Sequence, residues 1–187
     1  MNRFHRWLCR SGRWKKRIEP RMSWVLDGLD LGPEVLEVGP GPGLTTDRLR
    51  RSAGHITAVE IDPVLADSLR RRLEGSNVTV VQGDASSLLF ENAKFSGAVS
   101  FTMLHHVPSP EQQDKILREV FRVLRPGGVF AGSDSLPSFS MRLIHIGDTM
   151  VLVDPETFGS RLEAAGFWDI LVEPTEQAFR FRARRPE

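Results

Sequence analysis

The chain has 187 residues, 40% of them hydrophobic, which suits one globular domain with a real core and leaves no room for a second full one. Its single cysteine, Cys9, excludes an intramolecular disulfide, no apolar run approaches the roughly 20 residues of a membrane-spanning helix, and the N-terminus lacks the apolar stretch of about 7–15 residues of a secretory signal, so a cytoplasmic location is expected. The net charge of +1 hides a split: residues 1–22 hold eight basic side chains and one acid, leaving 17 basic and 23 acidic residues for the rest, so the two parts suit different partners.

Residues 1–31 read as a basic, Trp-bearing helical arm, and residues 32–187 as the main domain. In the arm, Phe4, Trp7, Leu8, Trp14, Ile18, Met22 and Val25 recur at spacings near three and four. That is the pattern of one or two amphipathic helices, with Gly12 and Pro20 as interruptions. Such an arm can pack on the core or over a ligand cleft, which is the favoured expectation. It can also make a peripheral contact with an anionic membrane, or, least favoured, bind single-stranded nucleic acid through interleaved basic and aromatic residues.

Residues 35–38 form a short buried strand, Val-Leu-Glu-Val, followed by Gly39-Pro40-Gly41-Pro42-Gly43. Glycines at every second position suit a backbone that approaches a ligand closely or takes positive φ. A dinucleotide fingerprint, G-x-G-x-x-G, fails in both registers, because its third glycine would fall on Leu44 or Thr46. A helix is expected over residues 45–52, then a second strand over 55–62 that ends in acids. Glu60 lies 17 residues beyond Gly43, where a strand-end carboxylate can accept from both ribose hydroxyls of a nucleoside. Ile61 can pack on the base. Residues 63–74 read as a helix with Leu65, Leu69 and Leu73 on one face and Arg70, Arg71 and Arg72 solvated. A third strand over 77–85 closes in Gly83-Asp84-Ala85.

The fourth strand, 95–101, ends at Phe101 and runs into Thr102-Met103-Leu104-His105-His106-Val107-Pro108. Ser109 as N-cap, Pro110 and Gln112 then open a helix, which stops at Arg125-Pro126-Gly127-Gly128. Residues 129–133 read as a fifth strand. The segment 136–153 has no clean period and holds Phe139, Met141, Ile144, His145, Ile146, Met150 and Val151. It is either an insertion over the site or a helix packed on the sheet. A helix over 155–165 and a hairpin of 168–173 with 177–183 follow. The arginines from Arg180 to Arg185 read as a solvent face running into a loose end.

The Glu-x-Gly-x-Gly-x-Gly turn, Glu60, Gly-Asp-Ala, the Leu-His-His-Val stretch and Leu-Arg-Pro-Gly-Gly together resemble class I S-adenosylmethionine (SAM) methyltransferases, especially those acting on small molecules. The resemblance implies an α/β three-layer sandwich: a mostly parallel seven-stranded sheet, its last strand antiparallel, with helices on both faces. It implies SAM as cofactor, S-adenosylhomocysteine as product, and no metal. Glu37 would serve the zwitterionic end of the cofactor directly or through water. Gly39, Gly41 and Gly43 would form the turn, Glu60 would hold the ribose, Ile61, Asp84 and Ala85 would meet the adenine, and Phe101 would belong to the cofactor site. His105 and His106 are the candidate general bases, with His145 and Asp134 in reserve. Two adjacent histidines with no further ligand at suitable spacing do not make a metal site.

The expected acceptor is a small or lipid-like molecule. The stretch 35–85 also resembles ribosomal RNA adenine dimethyltransferases. Their Asn-aliphatic-Pro-aromatic cluster is missing at Ser100-Phe101-Thr102-Met103, however, so nucleic acid is disfavoured. A non-catalytic SAM-binding regulator is the other alternative; a nicotinamide-dependent oxidoreductase is disfavoured by the failed glycine registers.

Overall fold

The computed structural model describes residues 12–138, 143, 145 and 147–187. The elements are α1 (Gly12–Leu26), β1 (Glu34–Val38), α2 (Leu44–Leu49), β2 (His55–Glu60), α3 (Pro63–Arg72), β3 (Val78–Gln82), β4 (Phe95–Phe101), α4 (Pro110–Val123), β5 (Leu124–Ser135), α5 (Pro155–Ala164), β6 (Trp168–Pro174) and β7 (Ala178–Arg184). They build one seven-stranded sheet in the order β3-β2-β1-β4-β5-β7-β6. β1 to β5 are parallel, and β7 runs antiparallel to both β5 and β6, as expected.

The central strands are apolar on both faces, which is why they read as continuous runs rather than alternations. One face carries Val35, Val99, Val129 and Ala131 against Ile18, Met22 and Val25 of α1, Leu49 of α2 and Leu69 of α3. The other carries Leu36, Val38, Ala98 and Phe130 against Ile116, Leu117 and Val120 of α4 and Phe158 and Leu162 of α5. These are the outer layers of the sandwich. The strand order reverses between β1 and β4, and open α/β sheets bind ligands at such a point, beyond the carboxyl ends of the strands.

Four expectations are corrected. First, α1 runs through Pro20 without a break. An interior proline costs about 3 kcal/mol, but Ile18, Met22 and Val25 are buried, each worth about 1.5–3 kcal/mol. Pro20 itself faces solvent, the side of a helix on which a missing backbone bond costs least. Ile18, Met22 and Val25 are thus spent on the sheet. Phe4, Trp7, Leu8 and Cys9 lie outside the described residues.

Second, the turn at Arg125-Pro126-Gly127-Gly128 belongs to β5, which starts at Leu124 opposite Phe95. Gly127, at φ 73°, absorbs the irregularity. Third, Arg72 is engaged: it donates two hydrogen bonds to Asp47 and one, of 3.1 Å, to the carbonyl of Pro42 in the glycine turn. Fourth, the arginine tail is tied down. Arg180 bonds Glu173 and the Trp24 carbonyl, both at 2.5 Å, and Arg185 donates to the carbonyls of Phe121, Arg122 and Leu124 at the end of α4.

No helix among the described residues is long and apolar enough to cross a membrane.

Candidate active site

A cavity of about 320 Å³ opens at the strand-order reversal, lined by the glycine turn, Glu60, Ile61, Asp84, Ala85, Phe101 and the histidines. Its size is that of a small-molecule site.

The turn is shaped by its glycines. Gly39, Gly41 and Gly43 have φ of 68°, 56° and 86°, a region costly for residues with a Cβ. A Cβ on Gly39 would run into Met103, and one on Gly43 into Leu69 and Arg72, while Gly41 has open space above it. The backbone is therefore packed closely from below and bare at Gly41.

Glu60 is buried on the cavity wall. Gly41 N donates to its Oε2 at 2.8 Å and Asp62 N to its Oε1 at 3.0 Å. Burial raises its pKa, and these backbone donors pull it back. Each carboxylate oxygen keeps a second lone pair, so the clamp on the turn leaves acceptor capacity facing the cavity. Ile61 is 63% exposed on the same wall. Asp62 caps α3 by accepting from Val64 N and Leu65 N. Beyond β3, Asp84 is exposed at the cavity and accepts from Ser86 N at 2.8 Å, with Ala85 buried beside it. Phe101 closes the floor, 5% exposed.

Glu37 does not reach the cavity wall. It lies beneath, fully buried, and Thr45, which does line the cavity, donates its hydroxyl to Oε1. The other oxygen, Oε2, has no hydrogen-bond partner among the described residues. Burial pushes the Glu37 carboxyl up to about 7 against the opposing pull of the threonine hydroxyls.

The opposite wall of the cavity is built after β4. Thr102 takes φ 51° and is held by its N–H on the carbonyl of Ser133, 2.8 Å away. The chain then makes a short 3₁₀ turn, Leu104–His106. His105 is buried, and its Nδ1 lies 2.5 Å from Asp134 Oδ1 while its backbone N donates to Oδ2 at 3.1 Å. Ser135 N also donates to Oδ1, at 2.6 Å. A carboxylate accepting at Nδ1 selects the tautomer whose lone pair is on Nε2.

His106 and His145 complete a cluster, with ring centroids 4.2 Å (His105 to His106), 5.1 Å (His105 to His145) and 5.0 Å (His106 to His145) apart. The sequence offered His105 and His106, with His145 and Asp134 in reserve; the fold brings all four together. Of the segment 136–153, Asp148 and Thr149 also line the cavity, as expected of an insertion over the site. Phe139, Met141, Ile144 and Ile146 lie outside the described residues.

Sequence reasoning missed Gln113. Buried in α4, it donates to the carbonyls of Leu104 (3.0 Å) and Val151 (2.9 Å) and accepts from Arg161. Val151 N in turn donates to the His105 carbonyl at 2.8 Å. A glutamine on an apolar helix face was the available signal.

These residues fit an adenosine-bearing cofactor with a charged amino-acid end. The bare turn at Gly41 admits close approach, Glu60 has acceptor capacity for hydroxyls, Ile61 and Phe101 give apolar surface, and Glu37 keeps an unpartnered oxygen under the turn.

The methyltransferase-domain family model matches residues 35–128. A probable ribosomal RNA small subunit methyltransferase A of Thermococcus onnurineus is 40% identical over 85 residues, covering 46% of this chain and 29% of that protein. The fatty-acid O-methyltransferase of Mycolicibacterium smegmatis is 35% identical over 113 residues, covering 59% of this chain and 40% of that one. The chain thus spans less than half the length of these curated relatives. Among solved structures, the PH0226 protein of Pyrococcus horikoshii has the same fold, with a TM-score of 0.74 at 21% identity over 95% of this chain and 93% of that one. From the glycine turn through Glu60 to the end of α4, sequence, fold and matched family coincide: the chain belongs to the class I SAM-dependent methyltransferases.

Proposed function

We propose that the chain transfers a methyl group from SAM to a nucleophilic atom, oxygen foremost, of a small or lipid-like acceptor, with S-adenosylhomocysteine as the second product. The observation that carries this is the buried Asp134–His105 pair, which opens onto the cavity beside the glycine turn. A proton acceptor fixed in that place serves an acceptor that must lose a proton as it is methylated. His106 flanks it and helps position the acceptor.

Glu60 holds the ribose hydroxyls, and Gly39, Gly41 and Gly43 let the backbone approach. Ile61, Asp84, Ala85 and Phe101 surround the adenine. Glu37 acts from beneath, through Thr45 and its second oxygen. When bound, SAM supplies an activated methyl on a positively charged sulfur. The chain's main task is therefore alignment, which can contribute roughly 7–11 kcal/mol. Residues 1–31 serve as an arm over the domain formed by residues 32–187, a role supported by Ile18, which lines the cavity. The similarity to a fatty-acid O-methyltransferase supports a lipid-like acceptor. The similarity to ribosomal RNA methyltransferases favours RNA as the second reading, opposed by the missing Asn-Pro-aromatic cluster.

The test is SAM carrying a radiolabelled methyl, incubated with the pure protein and a cell extract that is then separated into lipid, RNA, protein and small-metabolite fractions. Label is expected in lipid or small metabolites. His105→Gln should cut transfer by about 10²–10⁴-fold while calorimetry finds SAM affinity within about twofold. Label confined to RNA, or full transfer by His105→Gln, overturns the proposal.

A further inference from the structure

We propose that His105, His106 and His145 form a binding site for one divalent transition-metal ion, with Asp134 as the outer carboxylate that fixes it. Each histidine offers one ring nitrogen, and these atoms all lie within 4.8 Å of one another. Two of the three side chains, His105 and His145, are buried, and all three line the cavity.

The donor set selects the metal class. Three imidazoles suit zinc, cobalt, nickel or copper, whereas magnesium and calcium want oxygen. Zinc–nitrogen bonds of about 2.0–2.1 Å need donors about 3.4 Å apart in a tetrahedron, so donors already within 4.8 Å of one another have at most about 1.4 Å to close around an ion.

The surroundings add independent support. A metal-ligating histidine commonly gives its other ring N–H to a carboxylate, which orients the ring and raises its basicity. His105 has that arrangement: Nδ1 on Asp134 at 2.5 Å, with the carboxylate itself held by two backbone N–H groups. The loops that bring the ligands are locked together as well. His105 and His106 follow β4 and His145 follows β5, and Gln113 bonds the carbonyls of Leu104 and Val151 at 3.0 and 2.9 Å.

Three protein ligands leave a fourth position, and the cluster's place on the cavity wall turns that position toward the acceptor. In the metal-free form His105 takes the acceptor's proton. In the loaded form the acceptor's hydroxyl oxygen gives a lone pair to the ion and its O–H proton leaves to water. That second role rests on the function proposed above; the binding of the ion does not.

The test uses chelator-stripped full-length protein titrated with cobalt(II), followed by zinc(II). The expected result is a visible d–d absorption band of four-coordinate intensity that saturates at one equivalent and is displaced by zinc. The band should be lost in His106→Ala and in His145→Ala, and Asp134→Asn should weaken cobalt binding about 10–100-fold. SAM affinity, measured by calorimetry on the same samples, should survive in the variants and so report that they are folded. The absence of a band together with no zinc retained after gel filtration overturns the site, as does equal binding by a His106→Ala/His145→Ala double variant. Failure to bind SAM would instead strike the methyltransferase reading and leave the cobalt result standing.

Discussion

Replacing Glu37 by Gln should flatten the acid side of this protein's stability curve. The native carboxyl titrates near 7 instead of 4.5 because burial disfavours its charged form. Below the unfolded pKa both states hold the proton, and the native state suffers nothing. As pH rises from there through the folded pKa, the unfolded state releases the proton first and gains, and stability is lost. One pKa unit is worth about 1.4 kcal/mol, so the loss between about pH 4 and pH 8 amounts to about 3 kcal/mol. Gln is a neutral isostere whose carbonyl can still accept from Thr45. Wild type and Glu37→Gln should therefore agree most closely near pH 4 and diverge by about 3 kcal/mol near pH 8, the variant being the more stable. Urea denaturation across that range measures this. Glu60, also raised by burial, contributes to both curves; its charge is one of the causes that hold Glu37 up, so the neutral variant relieves both groups in the same direction. Parallel curves would refute the reasoning, because they would mean that Glu37 is already ionised in the folded protein.

Two further outcomes are expected. Glu60→Ala removes the acceptor of Gly41 N and Asp62 N along with the proposed ribose contact; calorimetry should give at least about a tenfold loss of SAM affinity, and thermal melts a loss of about 1–3 kcal/mol, whereas unchanged affinity would refute the ribose assignment. Arg185→Ala frees the carbonyls of Phe121, Arg122 and Leu124 and should cost about 1–2 kcal/mol in a denaturant titration, with SAM affinity unaltered.

The cofactor half was legible because its signals are local. A strand, three glycines and a strand-end acid follow one another within a few residues, and each reads from backbone conformation or burial alone. The contacts that hold the turn from below and build the histidine wall were not, because they are remote in sequence. His105 meets Asp134 across 29 residues, Arg72 reaches Pro42 across 30, and Gln113 reaches Val151 across 38. Arg72 and Arg185 looked like solvated charges because nothing nearby in sequence names the carbonyls they serve. Pro20 looked like a break because local propensity takes no account of the sheet that holds α1. Glu37 was legible as a buried acid beside the turn, but its place off the cavity wall, beneath Thr45, was not, since that packing is set by the fold.

The bridge made by Gln113 has a further corollary. The stretch joining β5 to α5 is pinned at Val151, through a glutamine rooted in α4 and a bond to the turn after β4. What lies between those anchors can be exchanged for a loop of another length or composition, while the clamp around Gly41 and Glu60, on separate strands, stays as it is. A chimera carrying a relative's segment between Ser135 and Val151 should therefore keep the Gly41–Glu60 clamp, and with it SAM affinity, while the residues it sets against the cavity change.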